Sequence, residues 1–342
     1  MFLYRNKNLA YRLQYTVFKT CIEFAFLFLF DISKWFLLSL LIYFDTEVLQ
    51  RILFSTIVII MENNTINVQN IINKFVETVK MGLKFASNLS FMFLEAPTIT
   101  ERYALAKKAG FKAVETGFPL GCSIKDVQEA KQKADIEQIL INVFTGDVKK
   151  GELGYAAVPG QEENFRKSID ITIEYAKALN CKKIHVMSGK VNSPTAANDE
   201  VFEKNLLYVI DKFQKEDIIA VIEPINSITV PNYYMNSFKK GLDVVKKINS
   251  PFLKLQLDIF HLQHIAGNIT KNIQELLPYV GHVQIAQVPD RHEPDTPGEI
   301  DYKYVLSLLE KEGYNGYVGL EYSPKSSSCA GLSWLQKYGY TL

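Results

Sequence analysis

The chain has 342 residues, a formal net charge of +1, 22% charged residues and 48% hydrophobic ones, an ordinary globular balance with enough length for a large core. The near-neutral charge excludes a broad nucleic-acid-binding surface, which needs a clustered basic excess. Cys21, Cys122, Cys181 and Cys329 stand apart with no Cys-x-x-Cys spacing, which argues against a disulfide framework or zinc knuckle and for a reducing, cytoplasmic setting.

All 18 glycines and all 12 prolines lie after position 80. A folded domain needs these residues at its turns and helix ends, so the first 80 residues are set apart as an extension. The most apolar span there, 22–44, approaches the length of a bilayer crossing. Glu23, Asp31 and Lys34 interrupt it, and central charges cost about 2.5–3.5 kcal/mol each on insertion. Three readings stand: a membrane anchor with Arg5, Lys7, Arg12 and Lys19 as basic flank, a targeting segment, or upstream translation outside the working protein, with Met81 or Met61 as the start. The catalytic domain is expected over residues 81–342.

Taken in chain order, that region alternates short apolar runs with longer amphipathic ones. Strands are expected at 83–87, 113–115, 138–142, 183–187, 218–223, 253–258, 282–286 and 317–321. Helices are expected to start near Thr100, Ser123, Gln161, Asn198, Ser237, Thr270 and Asp301. Thr100, Ser123 (with Asp126 three residues on) and Asn198 are N-cap types, while Gly110 and Gly313 follow helix ends. This alternation predicts an α/β fold, the (β/α)8 or TIM barrel. A doubly wound open sheet would call for a Gly-x-Gly-x-x-Gly phosphate loop, and none occurs.

Four of the runs end in an oxygen-bearing side chain: Glu223, Asp258, Gln284 and Glu321. Barrel strands alternate between interior and helix-facing sides. If these four point inward, so do Val221 and Ile219, Gln256, His282, and Gly319 and Tyr317, while the intervening apolar residues face the helices. Oxygen ligands in phase at the C-terminal mouth suit a hard divalent ion, Mg2+ or Mn2+. Crowded carboxylates without a cation would repel and raise at least one pKa. The bland alternative is that each acid caps the next helix.

His185 at the end of strand four and His261 just past Asp258 are candidates to donate hydrogen bonds to a substrate, whereas His282 reads as a core histidine. His264 and His292 are not placed. Glu115 and Asn142 end strands two and three, as cavity-lining residues or as simple caps. The connections 143–160 and 288–300 are long enough to be lids. Arg291 in the second is either a bidentate clamp for a small carboxylate or an exposed arginine paired with Glu293.

Together the segments Lys150-Gly-Glu-Leu-Gly, Ala157-Val-Pro-Gly, Tyr175-Ala-Lys-Ala-Leu, Glu223-Pro-Ile-Asn, Asp258-Ile-Phe-His, Gly281-His-Val-Gln-Ile-Ala-Gln and Pro297-Gly-Glu resemble the hydroxypyruvate isomerase family. This family is part of the xylose-isomerase-like barrels, which also hold ketose epimerases and endonuclease IV. The resemblance runs from Met81 to Leu335 and leaves the first 80 residues without a counterpart. It implies a divalent-metal isomerase of hydroxypyruvate and 2-hydroxy-3-oxopropanoate, with the metal on Glu223, Asp258, Gln284 and Glu321. It further implies that Glu223 and Glu321 transfer the proton and that His185, His261 and Arg291 contact substrate. The expected partner is a small hydroxy-oxo acid, with no nucleic acid and with a membrane only if residues 1–80 belong to the protein; a homo-oligomer is one option, and the oligomeric state is left open. The 188–198 connection is short for the family. The rivals are a ketose 3-epimerase or four-carbon oxo-acid isomerase, a DNA-repair endonuclease needing more than the five histidines present, and a binding protein without turnover.

Overall fold

Each apolar run from Lys84 onward is a strand buried on both sides, and each amphipathic run returns the chain over the outside to the next parallel strand. The computed structural model describes residues 82–342, so every expectation for residues 1–80, including the anchor and targeting readings, lies outside the described residues. Among the described residues no helix is long and apolar enough to cross a membrane.

The strands are β1 (Lys84–Asn88), β2 (Ala113–Thr116), β3 (Glu137–Asn142), β4 (Lys183–His185), β5 (Ile219–Ile222), β6 (Leu253–Asp258), β7 (Val280–Ile285) and β8 (Tyr317–Leu320). They close in sequence order, β8 pairing with β1 as well as β7. The helices are α1 (Ile99–Lys108), α2 (Ile124–Ala134), α3 (Glu162–Ala178), α4 (Ala196–Lys215), α5 (Phe238–Ile248), α6 (Ile259–Ile265), α7 (Ile269–Leu276), α8 (Tyr302–Lys311) and α9 (Ser333–Tyr338). The result is the expected (β/α)8 barrel.

Two expected caps are displaced by a few residues. The α1 cap is Thr98, not Thr100, because Glu101 then completes a reciprocal capping box. Asn198 is not the α4 cap; its Oδ1 accepts from the Thr195 backbone N–H at 2.9 Å, three residues upstream. Ser123 caps α2 with Asp126 as expected. Strand β4 stops at His185 rather than Met187, and the chain beyond it bridges back to Gly154 through Ser188. That bridge ties down the 143–160 connection: Ala156 and Ala157 are buried, their carbonyls accepting from the Asn205 and Asn198 amides at 2.9 Å each. Its central part is therefore wall rather than lid.

Two apolar layers result. Outward strand residues such as Phe85, Val114, Ile184 and Leu255 join the helices in the main core. Inside the barrel, Ala86, Ala113, Ile139, Leu140 and Val221, with Ile219 and Tyr317, form a separate plug. This confirms the inward phase read for Val221, Ile219 and Tyr317, and it leaves the cavity above open to polar groups. Helix α9 lays the buried Trp334 edge-on against Phe85 at 5.4 Å, so truncating Trp334 to alanine removes about 3–5 kcal/mol.

Candidate active site

The barrel register sets the level of the site. Asp258 pairs with Gln284, and Gln284 with Gly319, placing these positions at one height. Glu223 follows the last residue of β5 and Glu321 the last of β8. Glu223, Asp258 and Gln284 are buried, and Glu321 keeps 14% of its side chain exposed.

The four predicted oxygens are linked rather than scattered. Gln256, whose inward phase follows from Asp258, donates through Nε2 to Glu223 Oε2 at 2.9 Å and to Gln284 Oε1 at 2.6 Å. Asn88 at the end of β1 donates to Glu321 Oε1 at 3.0 Å. Asp258 does both jobs considered for it: Oδ1 accepts from the Phe260 N–H at 2.8 Å and caps α6, while Oδ2 faces the cavity. Glu223 Oε1 is buried with no hydrogen-bond partner.

His185 and His261 both reach this cluster. His185 Nδ1 lies 3.4 Å from Glu223 Oε2, and its Nε2 is buried without a partner. His261 Nε2 lies 3.7 Å from Glu223 Oε1 and 3.6 Å from Asp258 Oδ2. Those three residues offer atoms close enough to share an ion, yet the hydrogen bonds around His261 say otherwise. The Asn226 backbone N–H points at His261 Nδ1 (3.2 Å), and so does the Asn226 side-chain amide (2.7 Å). Asn226 cannot turn its oxygen there, because Oδ1 already accepts from the N–H groups of Ile228 and Thr229. Nδ1 is thus the acceptor and the ring proton sits on Nε2, which makes His261 a donor into the cavity rather than a ligand.

Arg291 is not the exposed partner of Glu293. Glu293 is buried and accepts from the Lys325 N–H at 3.0 Å. The Arg291 guanidinium instead sits between the rings of Phe91 and Phe260, 4.6 and 4.8 Å from their centroids. It bonds to Glu321 Oε2 and, at 3.3 Å, to Asp258 Oδ2. The loop that carries it, 288–300, is organised by the buried Gln287, whose Oε1 accepts from the N–H groups of Val288 and Ile300 at 3.0 Å each.

Charge and burial oppose each other here. Burial, then the carboxylates of Glu321 and Asp258, push the Glu223 carboxyl well above its usual range. Burial also raises Asp258 against the pull of Arg291, and takes Glu321 up to about 8 despite that same arginine. Burial lowers His185 to about 3, and it lowers His261, with Arg291 next, well below the usual imidazole value. Both rings are neutral at physiological pH.

The remaining candidates separate cleanly. Glu115 and His282 are buried beneath the cluster and paired with each other. His282 is thus a core histidine, though its Nδ1 has no partner. Asn142 turns its amide to Met187 Sδ at 3.7 Å, outside the cluster. His264 packs edge-on against Phe260 with ring centroids 4.6 Å apart, and His292 Nδ1 meets the Ser323 carbonyl at 2.8 Å. Asn88, Asn226, Phe91 and Phe260 were given no role from sequence, and Gln256 only its inward phase. Asn226 closes the Glu-Pro-Ile-Asn segment and Phe260 lies in Asp-Ile-Phe-His, a signal that a role for those motifs could have followed.

A family profile described as "Xylose isomerase-like TIM barrel" matches residues 103–338, and with the acidic barrel mouth this defines the class of the protein. The Escherichia coli (strain K12) protein named "Hydroxypyruvate isomerase" is 36% identical over 260 residues, covering 75% of this chain and 99% of that one. A "2-oxo-tetronate isomerase" of Haemophilus influenzae is 40% identical over 257 residues, covering 75% and 99%. Among solved structures, one described as "AP endonuclease, family 2" from Brucella melitensis superposes with a TM-score of 0.72 at 40% identity, covering 75% of this chain and 99% of that one. The chain belongs to the hydroxypyruvate isomerase family and is an isomerase of this barrel group.

Proposed function

We propose that the protein interconverts hydroxypyruvate and 2-hydroxy-3-oxopropanoate with a divalent ion, Mg2+ or Mn2+, and that Glu223 and Glu321 move the proton. The observation that carries this reading is Glu223: a buried carboxylate beside two others, with one oxygen left without a partner. A buried acceptor of that kind calls for a cation or a donor from outside the protein. Glu223, Asp258, Gln284 and Glu321 supply only oxygen, a set that fits a hard divalent ion. When bound, such an ion polarises substrate oxygens and makes the neighbouring C–H more acidic.

The rest is done by side chains. Arg291 holds the substrate carboxylate with its planar fork, stacked between Phe91 and Phe260. His261 donates its Nε2 proton to a substrate oxygen as negative charge develops there. One glutamate takes the proton from the hydroxymethyl carbon to give an enediolate. A proton is then returned to the neighbouring carbon by the same or the opposite glutamate, while the oxygen protons redistribute.

The Haemophilus influenzae relative, named for a four-carbon substrate, supports a second reading, an isomerase of 2-oxo-tetronate. The chain's net charge of +1 offers nothing for a DNA backbone. The test is to strip the full-length protein of metal, restore Mg2+ or Mn2+, and compare turnover of hydroxypyruvate and 2-oxo-tetronate. The first reading expects metal-dependent turnover with the higher kcat/KM on hydroxypyruvate. A higher value on 2-oxo-tetronate transfers the assignment to the four-carbon acid, and turnover of neither with any ion refutes both.

A further inference from the structure

Beneath the three acids and the amide of the barrel mouth lies a fourth acid that neither the metal nor the substrate would touch. Glu115, at the end region of β2, has no exposed surface. Its Oε2 meets His282 Nε2, and its Oε1 accepts from two amides: Gln284 Nε2 at 2.6 Å and Asn88 Nδ2 at 2.8 Å. The barrel makes room for it at Gly319, two residues before Glu321, where a Cβ would stand 2.3 Å from Glu115 Oε2.

A carboxylate only accepts, so it dictates how each amide is turned. With its N–H on Glu115, Gln284 must present Oε1 to the other side, where Gln256 donates to it and on to Glu223. Asn88 is locked from both ends, since its Oδ1 accepts from the Ser90 N–H at 2.9 Å, and its Nδ2 bridges Glu115 and Glu321. Two hydrogen-bond chains therefore start on Glu115 and end on the two glutamates at opposite sides of the cavity.

We propose that Glu115 is a positioning residue: it holds Gln284 with its amide oxygen, rather than its N–H, available to the divalent ion, and through Asn88 and Gln256 it aims Glu321 and Glu223. The proposal rests on the metal reading given above. Outer partners of this kind are worth about 10–100-fold in metal affinity.

The experiment is a cycle of Mn2+ titrations, read by EPR of the free ion, on the full-length wild type, E115M, Q284E and E115M/Q284E. In the wild-type background E115M removes the oxygen that accepts from the Gln284 and Asn88 amides, and Mn2+ affinity should fall by about tenfold or more. In the Q284E background the sign should reverse: two carboxylates face each other until E115M removes one of them, so E115M should raise the affinity. A merely structural role would lower it in both backgrounds. The proposal is overturned if E115M leaves wild-type affinity within about twofold or lowers it in both backgrounds. A wild type that binds no Mn2+ overturns the metal reading and this proposal together, whereas a binding wild type with an unaffected E115M overturns this one alone. Should E115M not fold, a crystal structure of the Mn2+-loaded wild type decides. Gln284 Nε2 on Glu115 supports the assignment, and Gln284 turned away from it overturns it.

Discussion

Raising the pH of the metal-free protein from about 5 to about 8 should destabilise it, and a divalent ion should remove most of that loss. Burial holds Glu223, Asp258 and Glu321 in their protonated forms beyond the range where an unfolded chain has released its protons. The folded state thus binds more protons than the unfolded one. The stabilisation is complete below the ordinary carboxylate value and is lost as the pH rises through the folded value. For Glu321 that window runs from 4.5 to about 8. At about 1.36 kcal/mol per tenfold change in proton affinity, the ceiling from this one group is about 5 kcal/mol. At roughly 2 °C per kcal/mol for a domain of this size, the melting temperature falls by up to about 10 °C. The assay is thermal unfolding by circular dichroism across this range, in EDTA and in excess Mg2+ or Mn2+. Stabilisation by the ion should grow with pH, because protons and metal compete for the same oxygens. A flat or rising melting temperature in EDTA, or an ion effect equal at both ends of the range, would refute the reasoning.

Two substitutions probe the donors. N226D places an acceptor against His261 Nδ1, moves the ring proton to Nδ1 and leaves a bare Nε2 facing the acids. Activity should fall by about 100-fold, with N226A milder at about tenfold because the backbone N–H still faces Nδ1; 15N NMR of the imidazole reads the tautomer directly, and an unchanged Nε2–H signal in N226D would contradict the assignment. R291K loses the planar fork and the stacking between Phe91 and Phe260, so KM for hydroxypyruvate should rise by about 10–100-fold with a smaller change in kcat. An unchanged KM would remove Arg291 from the substrate.

The barrel and the level of its mouth were legible because both are written in local pattern. Alternation with period two put Val221, Ile219 and Tyr317 inside, and they form the plug on which the site stands. Asn88 was missed because β1 runs one residue past the expected end at Ser87, and that residue carries the bond to Glu321. Pairings across the barrel have no local trace: Glu115 and Gln284 are 169 residues apart, so sequence left Glu115 as either lining or cap. The Arg291–Glu293 option failed for a similar reason. The buried Gln287 folds the loop so that Glu293 meets Lys325 while Arg291 reaches back over Phe91 to the acids. Capping shifts of two or three residues, as from Thr100 to Thr98, reflect how many adjacent side chains can serve as the cap.

Proton exchange at the carbon carries the central claim. With metal-loaded protein in D2O, 1H and 13C NMR of hydroxypyruvate should show deuterium entering the product at its hydroxyl-bearing carbon. In E223Q and in E321Q that incorporation should disappear while the substrate still binds. Wild-type protein that exchanges and converts nothing with any divalent ion would contradict the account, and full exchange in either variant would strip that glutamate of its role.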